Sequence, residues 1–378
     1  MAKISPADGA GRSAPSTPPT PVPPVTPSTR STRGVQRLPS MADVAALAGV
    51  SSQTVSRVVN ARSNVDSDTR DRVLAAMDEI GYRPNSAARA LKSGRFSTIG
   101  VIMFTLSSFG NMRTLDAVAM AAAQAGYSIT LIPVTRPTQG AVTGAVTRLA
   151  EQAVDGIVII MEAHMLDRID VSVPTGLPVV IVDSDAGARY TVVDTDQTEG
   201  ARLATQHLLD LGHRTVWHIA GPESSFSAGR RTASWRNTLK AAGATVPPVL
   251  EGDWSAQSGY VHGVTLAADP LVTAIFASND QMALGVMRAM HEAGRALPAD
   301  VSVVGFDDMR ESDDFWPPLT TVHQDFAQVG RLCIEKLLRQ IDSPGASVPG
   351  TTIVPTHLVV RGSTAQARPG ARECTFGP

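Results

Sequence analysis

The sequence predicts an α/β chain: a core of two doubly wound, parallel-sheet lobes behind a small all-α domain at the N-terminus. Three observations lead there. From about residue 95 onward, apolar runs rich in β-branched residues alternate with stretches of helical period, the pattern of βαβ units whose sheets are covered on both faces. The body so built spans residues 95–363, too long for one ordinary doubly wound sheet, and two similar lobes are the natural solution. Ahead of it, residues 38–62 hold two short amphipathic patterns on either side of Gly49-Val50-Ser51.

Residues 1–37 are rich in Pro, Ser, Thr and Gly with almost no large apolar side chains, so they cannot bury enough surface to fold and are expected to form a disordered tail. Residues 38–84 form the helical domain. Ser40 with Asp43 fits a capping box at its first helix. Val44, Leu47 and Ala48 then share an apolar face, Gly49 stands where that helix should stop, and Ser51 where the next should be capped. Val55, Val58 and Val59 give the second helix its inner face. Its outer face carries Ser52, Gln53, Ser56 and Arg57, hydrogen-bonding side chains with no carboxylate among them. Two small helices joined by a glycine turn are the helix-turn-helix pattern, although the spacing alone suits a plain helical hairpin equally well. Gln can address adenine and Arg guanine by paired hydrogen bonds in the major groove. A third helix starts at Ser67-Asp68, with Asp68 placed favourably for the helix dipole, buries Val73, Met77 and Ile80, and ends at Gly81. Pro84 then breaks the chain before a segment of about two turns, residues 85–94, too short to be a stable helix by itself.

In the body, strands are expected at Thr98–Met103, Gly156–Ile160, Pro178–Val182, Thr215–Ile219, Val272–Phe276 and Val301–Phe306. Ligands of such folds lie at the carboxyl ends of the strands, here in a cleft between the lobes. Asp183 follows one strand directly, Asn279 and Asp280 another, Asp307 and Asp308 a third. Carboxylates, an amide and an arginine around an aromatic face suit a sugar: the polar groups meet hydroxyls and the ring meets the C–H face.

Composition bounds the rest. Hydrophobic residues make up 43% of 378, and no run is long and apolar enough to span a bilayer. With no apolar leader segment and only two cysteines, Cys333 and Cys374, a cytoplasmic, nucleoid-associated protein without a disulfide framework is expected. The net charge of −2 hides an asymmetry: residues 1–95 hold 13 Lys/Arg against 7 Asp/Glu, the remainder 20 against 28. A basic end on an acidic body suits a protein that sets one end on a polyanion. Arg30, Arg33 and Arg37 of the tail either add non-specific affinity for it or belong to an inert extension.

The stretch Ala48-Gly-Val-Ser-Ser-Gln-Thr-Val-Ser-Arg-Val-Val-Asn60 closely resembles the DNA-binding headpiece of the LacI/GalR family of bacterial repressors. Asp68-Thr-Arg-Asp-Arg-Val73 and Ile80-Gly-Tyr-Arg-Pro-Asn-Ser-Ala-Ala-Arg-Ala-Leu91 resemble that family's third helix and hinge. The body resembles the family's sugar-sensing core, itself like the periplasmic sugar-binding proteins. Ala220-Gly-Pro-Glu-Ser-Ser-Phe-Ser227, Gly252-Asp-Trp-Ser-Ala-Gln-Ser-Gly259, Ser278-Asn-Asp-Gln-Met-Ala-Leu-Gly285 and Pro318-Leu-Thr-Thr-Val-His-Gln-Asp-Phe326 carry that likeness.

The resemblance implies a repressor of sugar-utilisation genes that binds a pseudo-palindromic operator as a homodimer and is released by a small sugar, a galactoside or related β-linked sugar. It implies that Ser52, Gln53, Thr54, Ser56, Arg57 and Asn60 contact DNA. Residues 85–94 would fold into a hinge helix on the operator, with Leu91 wedged into the minor groove; read alone, they suit a plain linker. Arg231 and Asn279 would bind sugar hydroxyls, Asp307 accept from them, Trp254 stack on the ring, and Asp183, Ser227 and Gln324 complete the lining. Plainer readings stand beside these: helix caps for Asp183 and Asp307, core packing for Trp254, a surface ion pair for Arg231. Asp280 and Asp308 suit structural hydrogen bonds, His207, His213 and His218 show no metal-ligand spacing, and Cys333 suits the core. No cofactor or metal is expected. Phe104 stands where a small hydroxyl residue belongs in a sugar-responsive member, and Ser52 where one such member carries tyrosine. Residues 364–378 are expected to be a disordered tail, and without leucine heptads there a coiled-coil tetramer is not. The rivals are a purine- or nucleoside-responsive repressor, a sugar-transport protein and a sugar-acting enzyme. No paired catalytic carboxylates, phosphate loop or nucleophile motif favour the last.

Overall fold

The computed structural model describes residues 39–60, 62, 64–83, 94–106, 108–134, 138–160, 174, 176–184, 186, 189–345 and 348–368, in two compact units divided after residue 85. The first unit is three helices, α1 (Met41–Ala48), α2 (Ser52–Val59) and α3 (Ser67–Glu79). Ser40 and Asp43 form the expected reciprocal capping box, Gly49 ends α1 at φ +66, and the Ser51 hydroxyl accepts from the Thr54 N–H to start α2. Helix α3 begins at Ser67, where it is expected. Its cap is Asp66, which accepts from the Thr69 N–H at 2.9 Å, because a carboxylate there reaches the free N–H groups of the first turn. The small core is Val44, Ala45, Ala48, Val55, Val58, Val73 and Ala76, with Met77 and Ile80 at its edge. Leu47, expected inside, is 46% exposed; Ala45 takes the inner position instead.

The second unit is a pair of α/β lobes, each on a six-stranded sheet. The first sheet runs in the order β2 (Ser128–Pro133), β1 (Thr98–Met103), β3 (Gly156–Ile160), β4 (Val179–Val182), β5 (Thr191–Thr195), β11 (Gly350–Val354), all parallel. Helices α4 (Phe109–Gln124), α5 (Gln139–Glu151) and α10 (Phe326–Asp342) go with it. The second runs β7 (Leu250–Glu251), β6 (Trp217–Ala220), β8 (Ala274–Ala277), β9 (Ser302–Asp307), β10 (Thr320–Gln324), β12 (Thr356–Val359). Its helices are α6 (Gln197–Asp210), α7 (Phe226–Ala241), α8 (Ala256–Ala267) and α9 (Asp280–Glu292). Contrary to the all-parallel expectation, β12 pairs antiparallel with β10, since it returns directly from the first lobe without a crossover helix.

Burial explains the strands. All five residues of β3 and all four of β4 are buried, so their sequences are unbroken apolar runs and each lobe has core on both faces of its sheet. Helices α8 and α9 approach so closely that a Cβ on Gly285 would overlap the Ala256 carbonyl, which fixes glycine there. The chain passes between the lobes three times: after Thr195 into α6, after Gln324 into α10, and after Val354 into β12. The C-terminal boundary lies later than residue 363. Ala367 N–H donates to the Leu211 carbonyl, Ala365 bonds Ser302, and Arg368 pairs with Asp300 at 2.6 Å, so residues 364–368 belong to the second lobe.

Candidate functional site

Helix α2 presents Ser52, Gln53 and Arg57 exposed on its outer face, opposite the buried Val55 and Val58. The other expected contact residues also serve the helix itself. The Thr54 and Ser51 hydroxyls lie 3.0 Å apart, and the Asn60 amide donates to the Ser56 carbonyl at 2.7 Å, closing the C-terminal turn. Leu91 and the expected hinge lie outside the described residues. Residues 39–83 hold five arginines (Arg57, Arg62, Arg70, Arg72, Arg83) against six carboxylates (Asp43, Asp66, Asp68, Asp71, Asp78, Glu79). The basic excess of the N-terminal quarter therefore sits in the flanking segments, while the α2 face itself carries a single cation and no anion.

In the second unit, Asp183, Ser227, Arg231, Trp254, Asn279, Asp307 and Gln324, the seven residues expected to line a ligand site, all line one cleft between the lobes. Its floor is a closed ring of four side chains from four elements. Arg231, 4% exposed on α7, donates from Nε to the Gln197 Oε1 at 2.8 Å and from Nη1 to the Ser278 carbonyl, and Nη2 stands 3.8 Å from the Asp307 carboxylate. Gln197 donates to Gln324 at 3.2 Å, and Gln324 donates to Asp307 at 2.6 Å. The guanidinium also lies 3.7 Å from the centre of the Phe306 ring and 5.5 Å from that of Trp254, a cation–π arrangement. Burial pushes the Asp307 carboxyl up to about 6, against the pull of Arg231 and Gln324.

Backbone strain gathers here. Of the six non-glycine residues at positive φ among the described residues, Asp183 (+57°), Trp254 (+70°) and Asp307 (+107°) line the cleft. Such conformations cost of order 1–3 kcal/mol each and persist where neighbours over-determine them. The neighbours of Trp254 are visible: Asp253 accepts from the Ser255 N–H at 2.9 Å, and the Asn279 amide donates to the Trp254 carbonyl at 3.0 Å. A side chain at Gly221 would overlap the indole ring. The Trp254 Nε1 is buried with no acceptor among the described residues. The arrangement offers carboxylate and amide acceptors, guanidinium and indole donors, and a ring face, which together suit a polyhydroxylated ligand.

The plainer readings fare unevenly. Asn279 caps α9, accepting from the Met282 N–H at 2.8 Å, and so is structural as well as cleft-lining. Neither Asp183 nor Asp307 caps a described helix. Trp254 belongs to both the core and the cleft. Arg230, 26% exposed, pairs with the buried Asp194 at 2.7 Å, while Arg231 is buried and faces Asp307 rather than the surface. Asp280 accepts from Ser312 at 2.7 Å and from the Met309 N–H at 2.9 Å, and Asp308 accepts from His323 at 2.8 Å, all structural bonds. His218 is stacked between Trp235 and Phe276, Cys333 is buried, and no metal-ligand cluster occurs among the described residues. Phe104 is not among the cleft-lining residues; it packs against the first-lobe core. Sequence reasoning missed Gln197, Asp194, Ser108, Asn111 and Thr114. A carboxylate inside the otherwise uncharged, β-branched strand Thr191-Val-Val-Asp-Thr195 was the available signal for Asp194.

Residues 40–85 match the family model for bacterial regulatory proteins of the lacI family, and residues 205–364 that for a periplasmic binding protein-like domain. The lactose operon repressor of Escherichia coli (strain K12) is 38% identical over 329 residues, covering 86% of this chain and 90% of that protein. The HTH-type transcriptional repressor PurR of Haemophilus influenzae (strain PittEE) is 34% identical over 306 residues, covering 80% and 91%. A crystal structure of the lac repressor dimer bound to operator and the anti-inducer ONPF matches with a TM-score of 0.78 at 38% identity, over 86% of this chain and 99% of that one.

Proposed function

Since this chain belongs to the LacI family of bacterial regulatory proteins, and is a DNA-binding transcriptional repressor, we propose that a small sugar held in the inter-lobe cleft, a galactoside or related β-linked sugar, releases it from its operator. The observation that carries this reading is the cleft floor. A buried guanidinium, carboxylate and amide converge there beside Trp254, whose indole N–H has no acceptor among the described residues. In this reading Arg231 and Asn279 bind hydroxyls, Asp307 accepts from them, and Trp254 stacks on the C–H face of the ring. Asp183, Ser227 and Gln324 complete the lining.

On the DNA side, the protein acts in the cytoplasm as a homodimer. Each α2 enters one of two successive major grooves of a pseudo-palindromic operator, through Ser52, Gln53, Thr54, Ser56, Arg57 and Asn60, and Leu91 wedges into the minor groove. The lac repressor structure, a dimer on its operator, supports this arrangement. Release is a population shift: the sugar favours a lobe arrangement that binds operator less well, and operator affinity falls by the coupling free energy, typically ~1–3 kcal/mol. Relatives of similar identity repress different systems, so the family alone does not choose the effector. A thermal-shift panel of galactosides, glucosides, free hexoses and purines does. A ligand at about 100 times its Kd adds ~2.7 kcal/mol of stability. A shift with a galactoside that also releases operator DNA supports the proposal; a shift with a purine alone rejects the sugar.

A further inference from the structure

We propose that Asp194 and Arg230 are positioning residues that form a clasp between the lobes, an ion pair that sets the lobe arrangement preferred with no effector bound and, through it, the resting affinity for operator. The proposal rests on the population shift described above, but not on which small molecule fills the cleft.

The pair joins elements of different lobes. Asp194 lies in β5, the strand that leads into the first crossing, and Arg230 lies on the second turn of α7. The Arg230 Nη1 donates to the Asp194 Oδ2 at 2.7 Å. Each end is braced within its own lobe. The other Asp194 oxygen accepts from the Thr195 N–H at 2.7 Å. The Arg230 guanidinium lies 4.1 Å from the centre of the Phe226 ring, one turn earlier on the same helix. Side chains already held this way have less rotamer freedom to lose when the lobes bring them together. Burial strengthens the contact: the Asp194 side chain is 1% exposed and that of Arg230 26%, so salt screens the pair less than it screens a surface pair. Burial also pushes the Asp194 carboxyl upward, and Arg230 opposes that shift, so the carboxylate depends on its cation.

The neighbouring arginine shows the contrast. Arg231 and Asp307 both belong to the second lobe, on α7 and β9, and Gln324 bonds Asp307 as well, so that pair travels with its lobe. Asp194 and Arg230 are not carried together. A hydrogen bond of 2.7 Å is lost when its ends part by about an ångström or two. The bond therefore contributes to this lobe arrangement and not to one in which β5 and α7 stand farther apart. That difference in interaction free energy is what biases an equilibrium between two arrangements, whether or not a ligand is present.

The test is a double-mutant cycle on the full-length protein, read at the distant DNA site. The probe is an operator duplex selected from random-sequence DNA with the wild-type protein, titrated with no small molecule added. Asp194→Asn, Arg230→Gln and the double variant are compared, with thermal melting to report folding. Each single variant is expected to change the operator Kd by at least about fivefold, the low end of coupling between sites, and both in the same direction. The double variant is expected to change it no further than either single, because one bond is lost in all three. A purely structural pair would lower the melting temperature and leave the operator Kd unmoved, which overturns the clasp. Changes in the two singles that multiply in the double also overturn it, since the residues then act separately. The double variant leaves no buried charge unpaired and so folds most readily; where a single variant fails to fold, the double decides alone, and a Kd within about twofold of wild type rejects the proposal. The wild-type sugar panel reports separately on the population shift: operator release by a sugar, with no change in the variants, rejects the clasp and leaves that reading standing.

Discussion

Trp254 combines a left-handed backbone with a buried indole N–H that has no acceptor among the described residues. The first costs roughly 1–3 kcal/mol and the second about the same, and neither contributes to the fold. Its ring does contribute, packed in the second-lobe core with Met282. The two functions separate by substitution. Trp254→Phe keeps most of the ring and removes the donor, so the melting temperature should hold or rise slightly while sugar affinity falls by about 0.5–1.5 kcal/mol, the net worth of one hydrogen bond. Trp254→Ala empties part of the core and should cost about 3–5 kcal/mol of stability. If the Phe variant loses stability as the Ala variant does, the N–H has a structural partner and is no ligand donor. Arg57 is the corresponding single residue on the DNA side: exposed, on a helix face with no carboxylate. Arg57→Ala should lower discrimination between operator and a single-base variant by ~1–3 kcal/mol. Unchanged preference at every position would remove Arg57 from the reading set.

At the scale of elements, legibility followed burial. Strands β1 and β3 fall on the residues expected of them, because both are continuous apolar runs with core on each face. Strands β5 and β10 escaped notice because each mixes valines with the polar residues that the cleft and the crossings need: Asp194, His323, Gln324. The direction of β12 was not legible at all, since an apolar pattern carries no sign. Cleft residues at or just beyond the ends of β4, β8 and β9 were readable from position; those inside β5 or on the first turns of α4 and α6 were not. Asp280 shows what an element junction demands. It ties the first turn of α9 to β10 through the Thr321 hydroxyl and to the following turn through Ser312 and Met309. Burial, with Asp307 nearby, pushes its carboxyl up to about 7. Between its ordinary value of 3.8 and about 7, the folded chain holds a proton that the unfolded chain releases, so this group makes stability fall as pH rises through that window. The buried His218, pushed down to about 3, acts with the opposite sign, adding stability as pH rises toward 6.5. The difference between two proteins isolates Asp280. From about pH 5 to about pH 8, the urea midpoint of wild type should drop relative to that of Asp280→Asn, which has no proton to lose. Parallel pH profiles would show that Asp280 is ionised in the fold throughout.

Across the whole molecule, the lobes are joined by three crossings, and the cleft floor is bonded to two of them. Gln197 is the first residue of α6 after the first crossing, and Gln324 the last of β10 before the second. Their amides bond each other at 3.2 Å, one bonding Arg231 and the other Asp307. The third crossing is tied in by the Asp196 N–H to the Val354 carbonyl at 2.9 Å and by the Thr356 hydroxyl to the Asp196 carbonyl at 3.1 Å. A ligand that engages Arg231 and Asp307 therefore acts on the segments that set how one lobe stands against the other. That is the physical connection a population shift requires: an interaction free energy that differs between two lobe arrangements. Gln197→Leu removes the link and leaves the buried Arg231 Nε–H without its acceptor, which should cost about 1–3 kcal/mol of stability. Gln197→Glu keeps an acceptor for Arg231 and removes only the donor to Gln324, so most of that stability should return. Both variants should still bind operator in the absence of sugar. Both should show a smaller ratio of operator affinities without and with saturating sugar, because the amide pair that carries the signal is gone in each. Operator titrations at zero and saturating sugar measure the ratio directly. If it is the same in wild type and both variants, the sugar acts on the lobes through contacts other than this pair, and the crossings are passive connections.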